Sequence, residues 1–193
     1  MNARLIGTIG VAALAVVAAC RSKPPAPNIP GLIADLTNPD PEVSGRANLT
    51  LIRLGEPAVP PLVELLQSDD VRLRTLAATT LFGLGEKGRA AVPALVATLG
   101  DAEASVRLTA AMALGNMGAE AKEAVPALIR SLKDRDGKVS QWAANALGSI
   151  GPAAEAAVPA LVQAARAEGI RHAAEDAIRR IRGLSPDQPL PAE

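Results

Sequence analysis

Few residues in this chain are equipped for chemistry, and they are scattered. It holds one histidine, His172, one cysteine, Cys20, and no tyrosine. Imidazole, thiolate and phenol supply most acid–base and nucleophilic sites, so most such mechanisms lack their reagent here. One His with one Cys does not complete an ordinary zinc site, and a single Cys forms no intramolecular disulfide. On a helix His172 shares a face with Asp176 and Arg179. A His–Asp pair can act as a base, yet no nucleophile or second carboxylate is placed to complete a site, so a solvated helix face is expected. Arg74, Arg107 and Arg171 recur in equivalent positions, as do Asp101 and Asp134. An arginine ladder suits phosphate or carboxylate recognition, but with acids this near it is expected to pair within the fold. Gly83-Leu84-Gly85-Glu86-Lys87-Gly88 spells the GxGxxG of a dinucleotide loop, whose mechanism requires a preceding strand. Here a helical stretch precedes it, and a linker is expected. No catalytic residue, metal site or cofactor is expected.

Composition narrows the class further. The chain has 193 residues, 20 basic against 20 acidic, and only one Trp and one Phe. Balanced charge argues against a nucleic-acid binder held by phosphate contacts. A core almost free of aromatics must be built from Ala, Leu and Val, which points to closely packed helices.

The elements that position these residues are set by an internal repeat. Pro60, Pro93, Pro126 and Pro159 fall 33 residues apart, each preceded by Val and followed by an apolar pair such as Leu62-Val63 or Leu128-Ile129. Thirteen residues past the Pro stand Leu73, Val106 and Val139, and at seventeen and eighteen stand Ala77-Ala78, Ala110-Ala111 and Ala143-Ala144. A Gly recurs at twenty-five: Gly85, Gly118, Gly151. A degenerate first copy starts at Ile29-Pro30, its exit loop three residues short, and a fifth runs through Ile170, Ala177, Ile178 and Ile181 after a two-residue deletion. Each copy predicts two helices. Pro sits in the first turn of helix A, where its missing N–H has no intrahelical partner. Helix B carries its apolar residues at 13, 17, 20, 21 and 24, one helical face, and the recurring Gly suits a left-handed cap.

Val-Pro-Ala-Leu followed by Val-Arg-x-x-Ala-Ala-x-Ala-Leu-Gly-x-Met-Gly in the third copy resembles the HEAT-like repeat first named from phycobilisome lyases. The resemblance implies an all-α, right-handed α-solenoid of about five helix pairs over residues 29–183, with a flexible tail at 184–193. It is specific for fold and unspecific for function, because such repeats serve lyases, adaptors and scaffolds alike. The last copy, with Glu175, Asp176, Arg179, Arg180 and Arg182, reads as a charged cap against fibre-like growth.

The N-terminal residues read as an address. Arg4 precedes an apolar stretch, Leu5 to Val17, too short to span a bilayer comfortably. It ends in Val17-Ala18-Ala19-Cys20, which resembles a bacterial lipobox, in which cleavage precedes a Cys bearing a diacylglyceryl group. The resemblance implies a signal peptide over 1–19, lipidation at Cys20, and a Pro-rich tether over 20–28. A lone thiol behind an ordinary secretory signal is the other reading, and it too sends the protein out of the cytoplasm. Arg21, in place of the Asp that often marks inner-membrane retention, permits transport to an outer membrane facing the periplasm where the organism has one.

The side of helix B opposite its core is set by positions 15, 19 and 22, which in this architecture normally line the concave surface. Leu49, Ile52, Phe82, Leu108 and Met112 fall there, with Asn145 in the fourth copy and His172, Asp176 and Arg179 in the fifth. The apolar row either forms an exposed binding patch or is buried within a tightly curved solenoid. Trp142, at position 16, is expected as a wedge between repeats. The expected function is a monomeric, non-catalytic scaffold or assembly factor binding an envelope protein or peptide on the concave face, using no nucleic acid. The alternatives are a bilin-lyase-like protein or small-ligand chaperone, against which export argues because bilin attachment is cytoplasmic, and a passive structural spacer.

Overall fold

A computed structural model describes residues 27–185 and Gln188. The expected signal peptide, Cys20 and most of the tether and tail lie outside the described residues. Among those described the secondary structure is wholly helical, in five pairs. They are α1 (Ile29–Leu36) with α2 (Pro41–Leu54), α3 (Val59–Leu65) with α4 (Val71–Leu84), α5 (Val92–Thr98) with α6 (Ala104–Asn116), α7 (Val125–Ser131) with α8 (Gly137–Ile150), and α9 (Val158–Ala164) with α10 (Arg171–Arg182). Each A helix from α3 onward begins at the Val before the repeat Pro, so the proline falls in the first turn. Each is seven residues, too short to stand alone, and is held by its apolar face against its own B helix.

The breaks between A and B helices are set by aspartates. Asp40, Asp70 and Asp136 cap α2, α4 and α8, each accepting a hydrogen bond from the backbone N–H two residues on. Between pairs runs a 3-10 linker, seven residues long at Gly85–Ala91, Gly118–Ala124 and Gly151–Ala157, but only Glu56–Ala58 after the first pair. That difference is the short exit loop seen in the sequence. The recurring glycine has positive φ throughout, as expected, but at Gly55, Gly85 and Gly151 ψ lies between −134° and −143°. These residues therefore turn the chain into the linker from a region closed to side chains, and are not left-handed caps. Gly183, ending α10 at φ 65°, ψ 30°, is a left-handed cap.

The core follows the repeat register. Ala77, Ala78, Leu81, Ala110, Ala111, Leu114, Ala143, Ala144 and Leu147 are wholly buried, and Ala174, Ala177 and Ile178 continue the series into the last pair. The B helices α4, α6, α8 and α10 pack side by side, and the 3-10 linkers stack along one edge. Alanine is the reason this works. With only a methyl at positions 17 and 18, neighbouring B helices close up without voids that an aromatic would otherwise fill.

Candidate interaction surface

Two arginines knit successive pairs together at the A-to-B breaks. Arg74, at the start of α4, donates from Nε to Asp101 Oδ2 at 2.7 Å and from Nη2 to Asp101 Oδ1 at 3.1 Å. Its Nη1 donates to the carbonyls of Ser68 and Asp69 at 2.8 and 3.0 Å. Arg107 repeats the arrangement one pair later, to Asp134 at 2.8 and 2.7 Å and to the carbonyls of Asp101 and Ala102. Each Asp also accepts the backbone N–H two residues on, from Glu103 and Asp136. The guanidinium thus satisfies its own loop and grips the next. Burial works to raise the Asp101 carboxyl, but the Arg74 hydrogen bond, the Glu103 N–H and the Arg74 and Arg107 charges together hold it below its ordinary value. At Asp134 the Arg107 hydrogen bond dominates and lowers it likewise. Both arginines are raised in turn, chiefly by their hydrogen-bonded aspartates.

Pairing within the stack is therefore the role of Arg74 and Arg107. Arg171 only donates to its own loop, to the Ala165 carbonyl at 3.3 Å. The GxGxxG run ends α4 and enters the following linker, with a helix before it, so it is no phosphate loop. His172 is exposed, while its face-mate Asp176 lies 3.7 Å from Arg179. No group of three potential metal ligands occurs among the described residues.

The B-helix face turned away from the A helices is where the apolar row lies. Leu49 is the large apolar side chain that stands out, 63% exposed. Ile52, Phe82, Leu108, Met112 and Asn145 are half-buried along α2, α4, α6 and α8. Phe82 and Ile52 differ from the rest in where they point. A Cβ on Gly83 would collide with Ile52 Cδ1, so Ile52 leans over α4, and Phe82 packs against the core.

Position 22 is a helix–helix crossing in the later pairs, which corrects its assignment as surface lining. A Cβ on Gly115 would lie 3.1 Å from Ala146 Cα, and one on Gly148 would lie 2.9 Å from Ala177 Cα. Gly148 is buried. The open strip narrows to positions 15 and 19: Gly45 and Leu49, Thr75 and Thr79, Leu108 and Met112, Gln141 and Asn145. Trp142 packs partly buried against the core beside that strip.

Sequence reasoning missed two kinds of contact. Asn116 donates from Nδ2 to the Phe82 carbonyl at 2.7 Å, an oxygen that also accepts the Gly85 N–H, and so ties the end of α4 across the repeat boundary. Arg89 stands between Glu56 and Glu120, at 3.7 and 4.0 Å, along the stacked linkers. The repeat period would have aligned Glu56 with Arg89, which are 33 apart, but not shown which loops stack. On the A side, a hollow of about 430 Å³ opens beside Val96, Leu99, Ala127, Arg130, Ser131 and Asp134. Its Ser131 hydroxyl is spent on the Ala127 carbonyl and its Asp134 on Arg107.

Comparison with known proteins fits this geometry. The HEAT repeats family matches residues 29–104 and 92–179, most of the chain. The chain belongs to the HEAT-repeat family. In fold it is similar to the complex of CpcE and CpcF of phycocyanin lyase from Nostoc sp. PCC7120, with TM-score 0.66 and 23% identity over 77% of this chain and 96% of that one. It is also similar to an engineered protein, Northeast Structural Genomics Consortium target OR329, with TM-score 0.57 and 25% identity over 90% of this chain and 84% of that one. A designed armadillo repeat protein in complex with the peptide (KR)4 aligns with TM-score 0.60 and 20% identity, over 83% and 84%. No curated protein matches the chain. This HEAT-repeat chain is an all-α solenoid scaffold of a kind suited to binding protein partners. Among the described residues no helix is long and apolar enough to cross a membrane.

Proposed function

We propose that this HEAT-repeat protein is a non-catalytic scaffold or assembly factor, held at the outer side of a bacterial cytoplasmic or outer membrane by a lipid on Cys20. It captures an envelope protein or peptide on the open face of its B helices. The observation that carries this reading is the strip itself. Leu49 on α2, Leu108 and Met112 on α6 and Asn145 on α8 lie along one face of the B helices at exposed or half-buried positions, while each A helix carries a proline in its first turn. The designed armadillo protein of similar fold, in complex with the peptide (KR)4, supports this reading.

The test is site-specific photocrosslinking in native envelopes. A photoreactive residue at Met112 or Asn145 is expected to trap a discrete partner, and the same residue at Arg130, on the A side, is not. Equal crosslinking at all three positions, or none at Met112 and Asn145, defeats the reading.

A second reading is favoured by the likeness to a phycocyanin lyase complex. On that reading the same strip holds a small conjugated ligand. Titration with a free bilin then produces a saturable spectral change, which the scaffold reading does not expect.

A further inference from the structure

The strip is neutral where the rest of the molecule is charged. At positions 15 and 19 of the first four B helices stand Gly45 and Leu49, then Thr75 and Thr79, then Leu108 and Met112, then Gln141 and Asn145. None carries a charge, although 40 residues of the chain do. Charge lies at the margins, with Glu42, Arg46 and Arg53 around Leu49 on α2 and Arg72 and Lys138 in the first turns of α4 and α8, and enters the strip itself at α10, with Asp176. The hydroxyls are already spent: Thr75 donates to the Val71 carbonyl and Thr79 to the Thr75 carbonyl, both at 2.8 Å. Two neutral amides, on the exposed Gln141 and half-buried Asn145, lie one helical turn apart on α8.

We infer that this strip holds an extended polypeptide segment without charged side chains. The inference rests on reading the B face as the interaction surface. A charged side chain seated on Leu108 and Met112 would lose its hydration and meet no counter-charge. An amide offers both a donor and an acceptor, the complement of an extended backbone, so Gln141 and Asn145 suit the main chain while Leu49, Leu108 and Met112 suit apolar side chains. A lysine–arginine peptide such as that held by the designed armadillo protein would find no carboxylate on the strip over four pairs. Helix axes packed about 8–10 Å apart make four B helices span about 30 Å, which an extended chain covers in about nine residues.

The test uses the full chain and labelled nonapeptides, read by fluorescence anisotropy. One set contains only Ala, Val, Leu, Ile, Ser, Thr, Asn and Gln. Matched sets place Lys or Asp at the centre, and the (KR)4 octapeptide is the opposite extreme. The neutral set is expected to contain binders, a central charge to weaken them roughly tenfold or more, and (KR)4 not to bind. Asn145→Asp and Met112→Lys are expected to weaken the neutral peptides, and Arg130→Ala to leave them unchanged. Asn145→Asp barely alters size at a half-buried position, so it keeps the test open should Met112→Lys unfold the chain. Charged peptides binding as well as neutral ones, or neutral peptides binding no better than background, overturns the inference. Should photocrosslinks at Met112 and Asn145 persist in that second case, the segment class is wrong and the scaffold reading survives. Loss of both removes both.

Discussion

Arg107 and Asp134, 27 residues apart in sequence, meet through two parallel hydrogen bonds of 2.8 and 2.7 Å that tie the third helix pair to the fourth. The arginine side chain is only 6% exposed and the aspartate 11%. The Nη1 of Arg107 donates to the loop carbonyls of Asp101 and Ala102.

Removing one member of this pair leaves the other buried without its partner. Arg107→Ala is therefore expected to cost about 3 kcal/mol, measured by denaturant unfolding. Arg89→Ala, whose partners Glu56 and Glu120 are well exposed at 3.7 and 4.0 Å, is expected to cost about 0.5 kcal/mol or less. Equal losses in the two variants would contradict the assignment of Arg107 as the inter-repeat tie.

The same pairs confer acid sensitivity with a definite sign. Asp101 and Asp134 are held below their ordinary values in the folded chain, so the unfolded chain binds their protons more readily. Their contribution is fully present above the unfolded carboxylate range, near pH 4, and is lost as pH falls through the lower folded values. Thermal melts from pH 6 to pH 2 are expected to fall below about pH 4. Asp134→Asn should start lower and show a shallower fall. A variant that tracks wild type at a constant offset would remove Asp134 from the account.

Close approach of B helices should make the crossing glycines intolerant. Gly148→Val is expected to cost more than about 1–3 kcal/mol, because even the first methyl meets Ala177 backbone at 2.9 Å. Gly137→Ala, at the first turn of α8 with nothing within 4 Å, is expected to be neutral or stabilising by about 0.5 kcal/mol. Melting temperatures of the two variants against wild type decide it.

Asn48 offers a gain of stability. It holds position 18 in the first pair, where later pairs have Ala78, Ala111 and Ala144, and its Oδ1 is buried without a hydrogen-bond partner. Asn48→Ala is expected to stabilise by about 1 kcal/mol, read as a raised urea midpoint at unchanged slope. A lowered midpoint would mean that the amide is satisfied in solution.

Lipid anchoring has its own experiment. Cys20→Ser is expected to yield an unacylated precursor, seen as a mass lacking the lipid and a shift from detergent to aqueous phase. Partition like wild type would leave the lipid anchor without support.

Much of this architecture was legible in one dimension because the repeat states it several times. A proline at a fixed phase marks each A helix, and apolar residues at 13, 17, 20, 21 and 24 mark the buried face of each B helix, since 3.6-residue geometry is local and periodic. Arg74 and Arg107 were legible as internal partners because Asp101 and Asp134 recur at the same spacing. The sequence alone also determined the near absence of aromatics, which alanine-to-alanine stacking explains. What it did not determine depended on how adjacent pairs meet. Gly115 and Gly148 lie at the right helical angle to line a surface, yet the neighbouring helix approaches to within van der Waals contact and claims their position. Asn116 reaches the Phe82 carbonyl, and Arg89 finds two acids, only because stacking sets the lateral distance between repeats. Helical phase is written residue by residue. The distance between two helices is the outcome of every side chain packed between them, and only the tertiary structure decided it.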